Sequence, residues 1–329
     1  MIDFRYHLVS IIAVFLALAV GLVVGATALS GKSLDLLQAA QQAALNRIAA
    51  LEHDNSNLTS QQKADEAFAN AASLQLVRGL LTGQKVVIVT APNYDSTVAA
   101  GVAKALEQAG ATVTGQVNLN PTFLDTDGHD EEELTQLAQR LATQDGVTLP
   151  SQLSSPVAGQ QAASKVLAAS LLTAGGTPLS STDSAAILSA FSTAGYASAD
   201  PVSAPASLAV LVAPSGPPPQ TGRRVLVALA VALRNAGSGT VMVGGSESVG
   251  PYSVIDAENK AKQVSTVDNA DTETGQIMTV QALKLLLDHK PIGHYGIGPG
   301  LAPSPAPTPS SSVSPTATPN VSSSSGGHK

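Results

Sequence analysis

The sequence predicts an α/β protein led by a membrane-length helix, and three patterns predict it. An unbroken apolar run extends from Leu8 to Ala28, heptad spacing runs from Leu34 to Leu58, and short β-branched runs alternate with longer helical patterns from Lys85 onward. The order is therefore an N-terminal transmembrane helix, a coiled-coil helix, a mostly parallel α/β sandwich domain and a disordered tail. These divide the chain at residues 1–30, 31–80, 84–298 and 299–329.

Between Leu8 and Ala28 only Ser10 and Thr27 are polar, and no charged residue falls between His7 and Lys32. At about 1.5 Å per residue, a helix of this length covers the roughly 30 Å hydrocarbon core of a bilayer. In lipid a helix satisfies its own backbone hydrogen bonds, so the run reads as a spanning segment. Two other readings exist. Ala26-Thr27-Ala28 resembles the small-residue site of a cleaved signal peptide, and a buried helix of a large soluble core is also apolar. The run exceeds the roughly 7–15 residue signal core, and its leader carries Asp3 as well as Arg5, which favours an uncleaved anchor. Arg5 and the amino terminus precede the span and Lys32 follows it, so the positive-inside rule puts the N-terminus in the cytoplasm and the domain outside.

Gly21 and Gly25 form a GxxxG pair within the span, a spacing that lets two helices approach closely in lipid. From Leu34 the heptads place Leu34, Gln41, Ile48 and Asn55 at a, with Leu37, Ala44, Leu51 and Leu58 at d. A polar a-position residue such as Asn55 specifies register. In a parallel dimer Arg47 at g faces the partner's e position, occupied here by Glu52. The alternative is an amphipathic helix folded back on its own domain. Continuity with a membrane helix that already aligns chains favours a parallel homo-oligomer.

Composition narrows the functions. A net charge of −7 and a pI near 5.3 exclude the basic face that nucleic acid requires. There is no cysteine, hence no disulfide, thiolate metal site or cysteine nucleophile. Aromatics are 3% and Trp is absent, which leaves little for base stacking or for the aromatic girdle of a membrane barrel.

The α/β part opens with Lys85 to Thr90, a β-branched strand, followed by a helix from Asp95 to Gln108 ended by Gly110 and a strand from Ala111 to Val117. Helices are expected near Gln161 to Thr173 and Thr182 to Tyr196, a strand at Leu208 to Val212, a helix from Thr221 to Ala236 and a strand at Thr240 to Val243. A short strand from Val264 to Val267 precedes a helix with Ile277, Val280, Leu283, Leu286 and Leu287 on its apolar face, stopped by Pro291. Strands this uniformly apolar belong to a sheet covered on both faces. After Gly300 the chain is Pro, Ser, Thr, Ala and Gly, too poor in large apolar residues to fold.

Chemistry is sparse. The first strand turns through TAPNYDS rather than GxGxxG, so no dinucleotide cofactor is expected, and no GxSxG elbow is present; the chain does not read as an enzyme. Gly244-Gly245-Ser246 offers amides at a strand's carboxyl end to an anion, against the simpler reading of a tight turn. Asp125, Asp127, His129 and Asp130 could ligate a divalent ion, although acidic residues ahead of Leu134, Leu137 and Leu141 suit the first turn of a helix. His289 and His294, with Tyr295 nearby, are the close histidine pair. They are candidate copper or zinc ligands, against the reading of a helix C-terminus and turn.

The opening FRYHLVSIIAVFLALAVGLVVGA and the closing STVDNADTETGQIMTVQALKLLLDHKPIGHYGIG resemble the actinobacterial MctB-type copper transporters. Arg5, His7 and Ser10 carry the resemblance at one end; Ser265 to Asp268, Gly275, Tyr295, Gly296 and Gly298 carry it at the other. The resemblance implies a cell-envelope membrane protein of copper homeostasis and efflux, described as an outer-membrane channel, with copper as the transported ion. An alternative is a non-transporting scaffold that tethers other envelope proteins through its extracytoplasmic domain.

Overall fold

A computed structural model describes residues 4–126, 129–149, 157–173, 179–200, 202–203 and 205–305, with the side chains of 4–5, 27–35 and 129–130 outside the description. The expected seam residue Leu34 and ligand candidate Asp127 thus lie outside it, as does the tail from 306. The chain forms two units, Met1–Ala67 and Phe68–Lys329.

Helix α1 is 74 residues long, Phe4–Val77, and no proline precedes Pro92 to interrupt it. It ends where Gly79 and Gly83 adopt φ of 79° and 75°. Within the first unit its described apolar side chains are exposed: Leu37 is 67% exposed, Ile48 52%, Leu51 59% and Leu58 64%. A Cβ added at Gly21 or Gly25 would meet nothing within 4 Å.

The second unit alternates strands and helices in the order β1 (Lys85–Thr90), α2 (Ser96–Gln108), β2 (Thr112–Leu119), α3 (Pro121–Leu124), α4 (His129–Asp145), α5 (Ala158–Leu171) and α6 (Ser181–Thr193). There follow β3 (Ala197–Ala199), β4 (Leu208–Val212), α7 (Gln220–Ala236), β5 (Gly239–Val243), α8 (Val254–Ala261), β6 (Ser265–Val267), α9 (Glu273–Leu287) and β7 (His294–Tyr295). The sheet order is β3-β2-β1-β4-β5-β6-β7, parallel except for β3 at one edge. After β2 and β3 the chain returns to the other side of β1, which makes the sheet doubly wound.

Alternation along the strands divides the core into two layers. Val87, Val89 and Leu211 face Phe123, Leu134, Leu167 and Leu226 on one side. Val86, Ile88, Val210 and Val241 face Val102, Leu106, Val280 and Leu283 on the other, where Val77 and Leu81 also pack. Both faces are covered, which is why the strands read as unbroken apolar runs. Asp95 caps α2 by accepting from the Thr97 amide at 2.8 Å, and Ser253 caps α8 by accepting from Asp256 N at 3.0 Å.

Several elements depart from the sequence expectation. The helix expected to reach Tyr196 stops at Thr193, and Ala197–Ala199 pairs antiparallel with β2. An Ala-Ser-Ala strand carries no β-propensity, so only its partner defines it. The short helix α8 and the two-residue β7 carry too little periodicity to be seen in advance.

Candidate functional site

In doubly wound sheets ligands bind beyond the carboxyl ends of the strands where the winding reverses, here between β1 and β4. The loops that follow these two strands bridge across it at Tyr94 and Pro214, and polar side chains pair on the β2 side of β1. Thr90 Oγ1 donates to Asn118 Oδ1 at 2.8 Å, and Gln116 Nε2 donates to Asn118 Oδ1 at 2.6 Å and to Tyr94 Oη at 3.1 Å. Ser215 N donates to the carbonyl of Asn93, whose φ of 58° turns the chain back over the strand end. Of the amides that the Gly244-Gly245-Ser246 turn offers to an anion, that of Ser246 is taken: it donates to Asp271 Oδ2 at 3.0 Å, and Ser246 Oγ donates to the same oxygen at 2.7 Å. Gly244 N donates to Val267 O, so this amide too is paired within the protein.

The acidic segment is divided: Asp125 ends α3, and α4 begins at His129, so Glu131 to Glu133 fall in its opening turns. Among the described residues no three His, Cys, Asp or Glu side chains converge as a metal site. His289 is exposed just past the end of α9 at φ 56°, whereas His294 is half-buried in β7 with its Nδ1 3.0 Å from Thr266 Oγ1. Burial, then the charge of Lys262, lowers the His294 pKa, so the ring favours its neutral form. One ring nitrogen is thus already engaged, and Nε2 is the atom left for a ligand. The Tyr295 hydroxyl is pushed upward by burial and stays protonated.

The closing segment holds a feature that periodicity did not expose. Asp268, fully buried at the end of β6, accepts from Ile297 N and Gly298 N at 2.8 Å each, one amide per carboxylate oxygen. Its own amide donates to Tyr295 O at 3.2 Å. Gly296 has φ 137°, and a Cβ there would overlap the Asp268 carboxylate; one at Gly298 would lie 2.6 Å from Oδ2. Glycine at both positions is therefore what lets the chain approach the acid. Gly296 N donates to Ala302 O and Ala302 N to His294 O, so the backbone stays bonded to the sheet past residue 299, where the tail was expected to begin. Upstream, Gly275 packs so close to Asn269 that a Cβ would overlap the Asn269 carbonyl oxygen. An Asp closing a buried strand, followed by a Gly-x-Gly, is the signal that could have revealed this clasp.

Together these features define a class: a doubly wound α/β unit with an internally paired crevice, on a chain whose helix Tyr6–Ala26, of mean hydropathy 2.9, is long and apolar enough to cross a membrane. Residues 1–305 match the family described as "Copper transport outer membrane protein, MctB", and the chain belongs to that family. It is 30% identical over 313 residues to the "Copper transporter MctB" of Mycobacterium tuberculosis, covering 91% of this chain and 98% of the relative. It is 31% identical over 314 residues to the protein of the same name in Mycobacterium leprae, with 91% and 98% covered. The match thus includes the clasp and the α/β body as well as the apolar helix.

Proposed function

We propose that this chain is a non-enzymatic, single-pass envelope protein that acts in copper homeostasis as a parallel homo-oligomer, with its α/β domain outside the cytoplasm and copper as cargo. The observation that carries this reading is the exposed ribbon of Leu37, Ile48, Leu51 and Leu58, continuous in one helix with the open Gly21 and Gly25. Fully burying such side chains is worth roughly 1.5–3 kcal/mol each, enough to favour pairing of helices already aligned by a bilayer. A single spanning helix encloses no pore, and the described strands form one sheet packed on both faces rather than a lipid-facing barrel. Copper passage therefore needs several chains or a partner, with His289 and His294 as the residues to meet the ion. A second reading, an envelope scaffold that affects copper indirectly, is favoured by the lack of a converged three-ligand group among the described residues.

The test is full-length protein in liposomes, with copper flux and cross-linking read together. Flux that falls when Gly21 and Gly25 become Ile, together with loss of cross-linked oligomer, supports the assembly. Unchanged cross-linking in that variant sinks self-association through the helix, and absent flux with a co-purifying envelope protein moves the function to the scaffold.

A further inference from the structure

A concavity of about 540 Å³ lies among α5, α7 and α8, unused by the function proposed above. Its volume falls within the roughly 300–1,000 Å³ of small-molecule sites. Along α7 the lining follows one stripe, Arg224, Val227, Ala228, Val231 and Asn235, at the i, i+3, i+4 spacing of a single helical face. The stripe begins with a cation and continues apolar for about 11 Å to Val231 at 1.5 Å per residue. Across from it Lys165 projects from α5, and Arg223 stands beside Arg224. No Asp or Glu lines the concavity, in a protein whose net charge is −7.

The three cations are not equivalent. Arg223 is held in place: Nη1 donates to Pro218 O at 3.2 Å and to Tyr252 O at 2.9 Å, and its guanidinium lies 5.5 Å from the Tyr252 ring centroid. Lys165 and Arg224 form no ion pair among the described residues, whereas Lys260 and Lys284 each pair with an acid four residues away. Val227 and Val231 are half-buried, while Val225, Leu226, Leu229 and Leu233 on the same helix fill the core. Val227 also packs against the edge of that core, and the two valines give the concavity an apolar floor.

We infer that this concavity binds a single-chain amphiphile with an anionic head, the head against Lys165 and Arg224 and the chain along Val227 and Val231. Charge complementarity excludes a copper ion here and selects against neutral or cationic amphiphiles. The shared chemistry is an anion on an alkyl chain, and the head can be a carboxylate or a phosphate.

Full-length protein in phosphatidylcholine nanodiscs is irradiated with three diazirine-bearing C16 probes, a carboxylate, a phosphate and an alcohol, and labelled peptides are mapped by mass spectrometry. The expected result is labelling within 158–171 and 220–236 by an anionic probe and little by the alcohol. The anionic label there should fall about tenfold in Lys165→Gln/Arg224→Gln, whose thermal transition should match the parent because Arg224 is exposed, Lys165 is only part-buried and neither is ion-paired among the described residues. Labelling by the carboxylate alone assigns a fatty acid, and by the phosphate a lysolipid-type head. Equal labelling by the alcohol, labelling restricted to the membrane helix, or undiminished labelling of the double variant would overturn the inference. Val231→Glu, which places an acid in the floor, gives an independent second variant and should abolish groove labelling while leaving label on the membrane helix unchanged.

Discussion

Replacing Asp268 with Asn changes almost no volume but removes the charge on which two backbone amides converge. In the parent, Ile297 N and Gly298 N each donate to a separate oxygen of a fully buried carboxylate at 2.8 Å. An Asn side chain keeps one carbonyl acceptor and turns its NH₂ toward the other amide, donor against donor. A hydrogen bond to a charged group contributes about 1.5–3 kcal/mol net, so losing one should raise the local opening equilibrium of the closing segment by about 10- to 150-fold. Hydrogen exchange on the full-length protein reads this directly: the amides of Ile297 and Gly298 should lose protection, and Ala302, tied to His294 O, should follow. The amides of Val241 and Met242 in central β5 should keep theirs, because the segment can open without the sheet. Unchanged exchange at Ile297 and Gly298 would refute the clasp, and equal loss throughout β5 would show that Asp268 supports the whole unit instead.

Two groups give pH dependence of opposite sign. Burial pushes the Glu258 carboxyl above its ordinary value of 4.5, against the amides of Val264 and Gln263 and the charge of Arg234 that lower it. Its contribution to stability is present below the unfolded value and lost as pH rises through the folded one, so Glu258→Gln should flatten the fall in urea midpoint above about pH 4.5. His294, with its pKa lowered from 6.5 by burial and Lys262, contributes stability above 6.5 that is lost as pH falls through the folded value. His294→Gln should remove that acid-side loss, and an unaltered profile in either variant would count against the assignment. Gly275→Ala should destabilise the second unit by about 1–3 kcal/mol in thermal unfolding, since the new methyl group meets backbone at Asn269 that cannot swing aside. Full-length protein titrated with Cu(I) and Cu(II) by calorimetry should lose any copper binding by the domain when His289 and His294 both become Ala. Binding retained in that variant would place the copper ligands elsewhere.

The alternation of strands and helices was readable because each pattern is local. Val86 to Val89 and Leu208 to Val212 are apolar at every position, the mark of strands covered on both sides, and α7 and α9 carry helical periodicity that needs no partner to be seen. The crevice was read less completely. Gly244-Gly245-Ser246 is visible as a turn, but the acceptor of the Ser246 amide is Asp271, 25 residues onward. The histidine pair shows the same limit: adjacency in sequence does not reveal that one ring is exposed past a helix end and the other is bonded to Thr266.

From the sequence alone come the α/β class, the membrane-length helix and the heptad spacing, since each depends on composition and period along one segment. Tertiary structure alone decided the strand order, the antiparallel edge at Ala197–Ala199, the carboxylate clasp at Asp268 and the cationic concavity between α5 and α7. Each of these joins residues distant in the chain, such as Lys165 with Arg224, and a one-dimensional pattern carries no record of which distant groups the packed helices bring together.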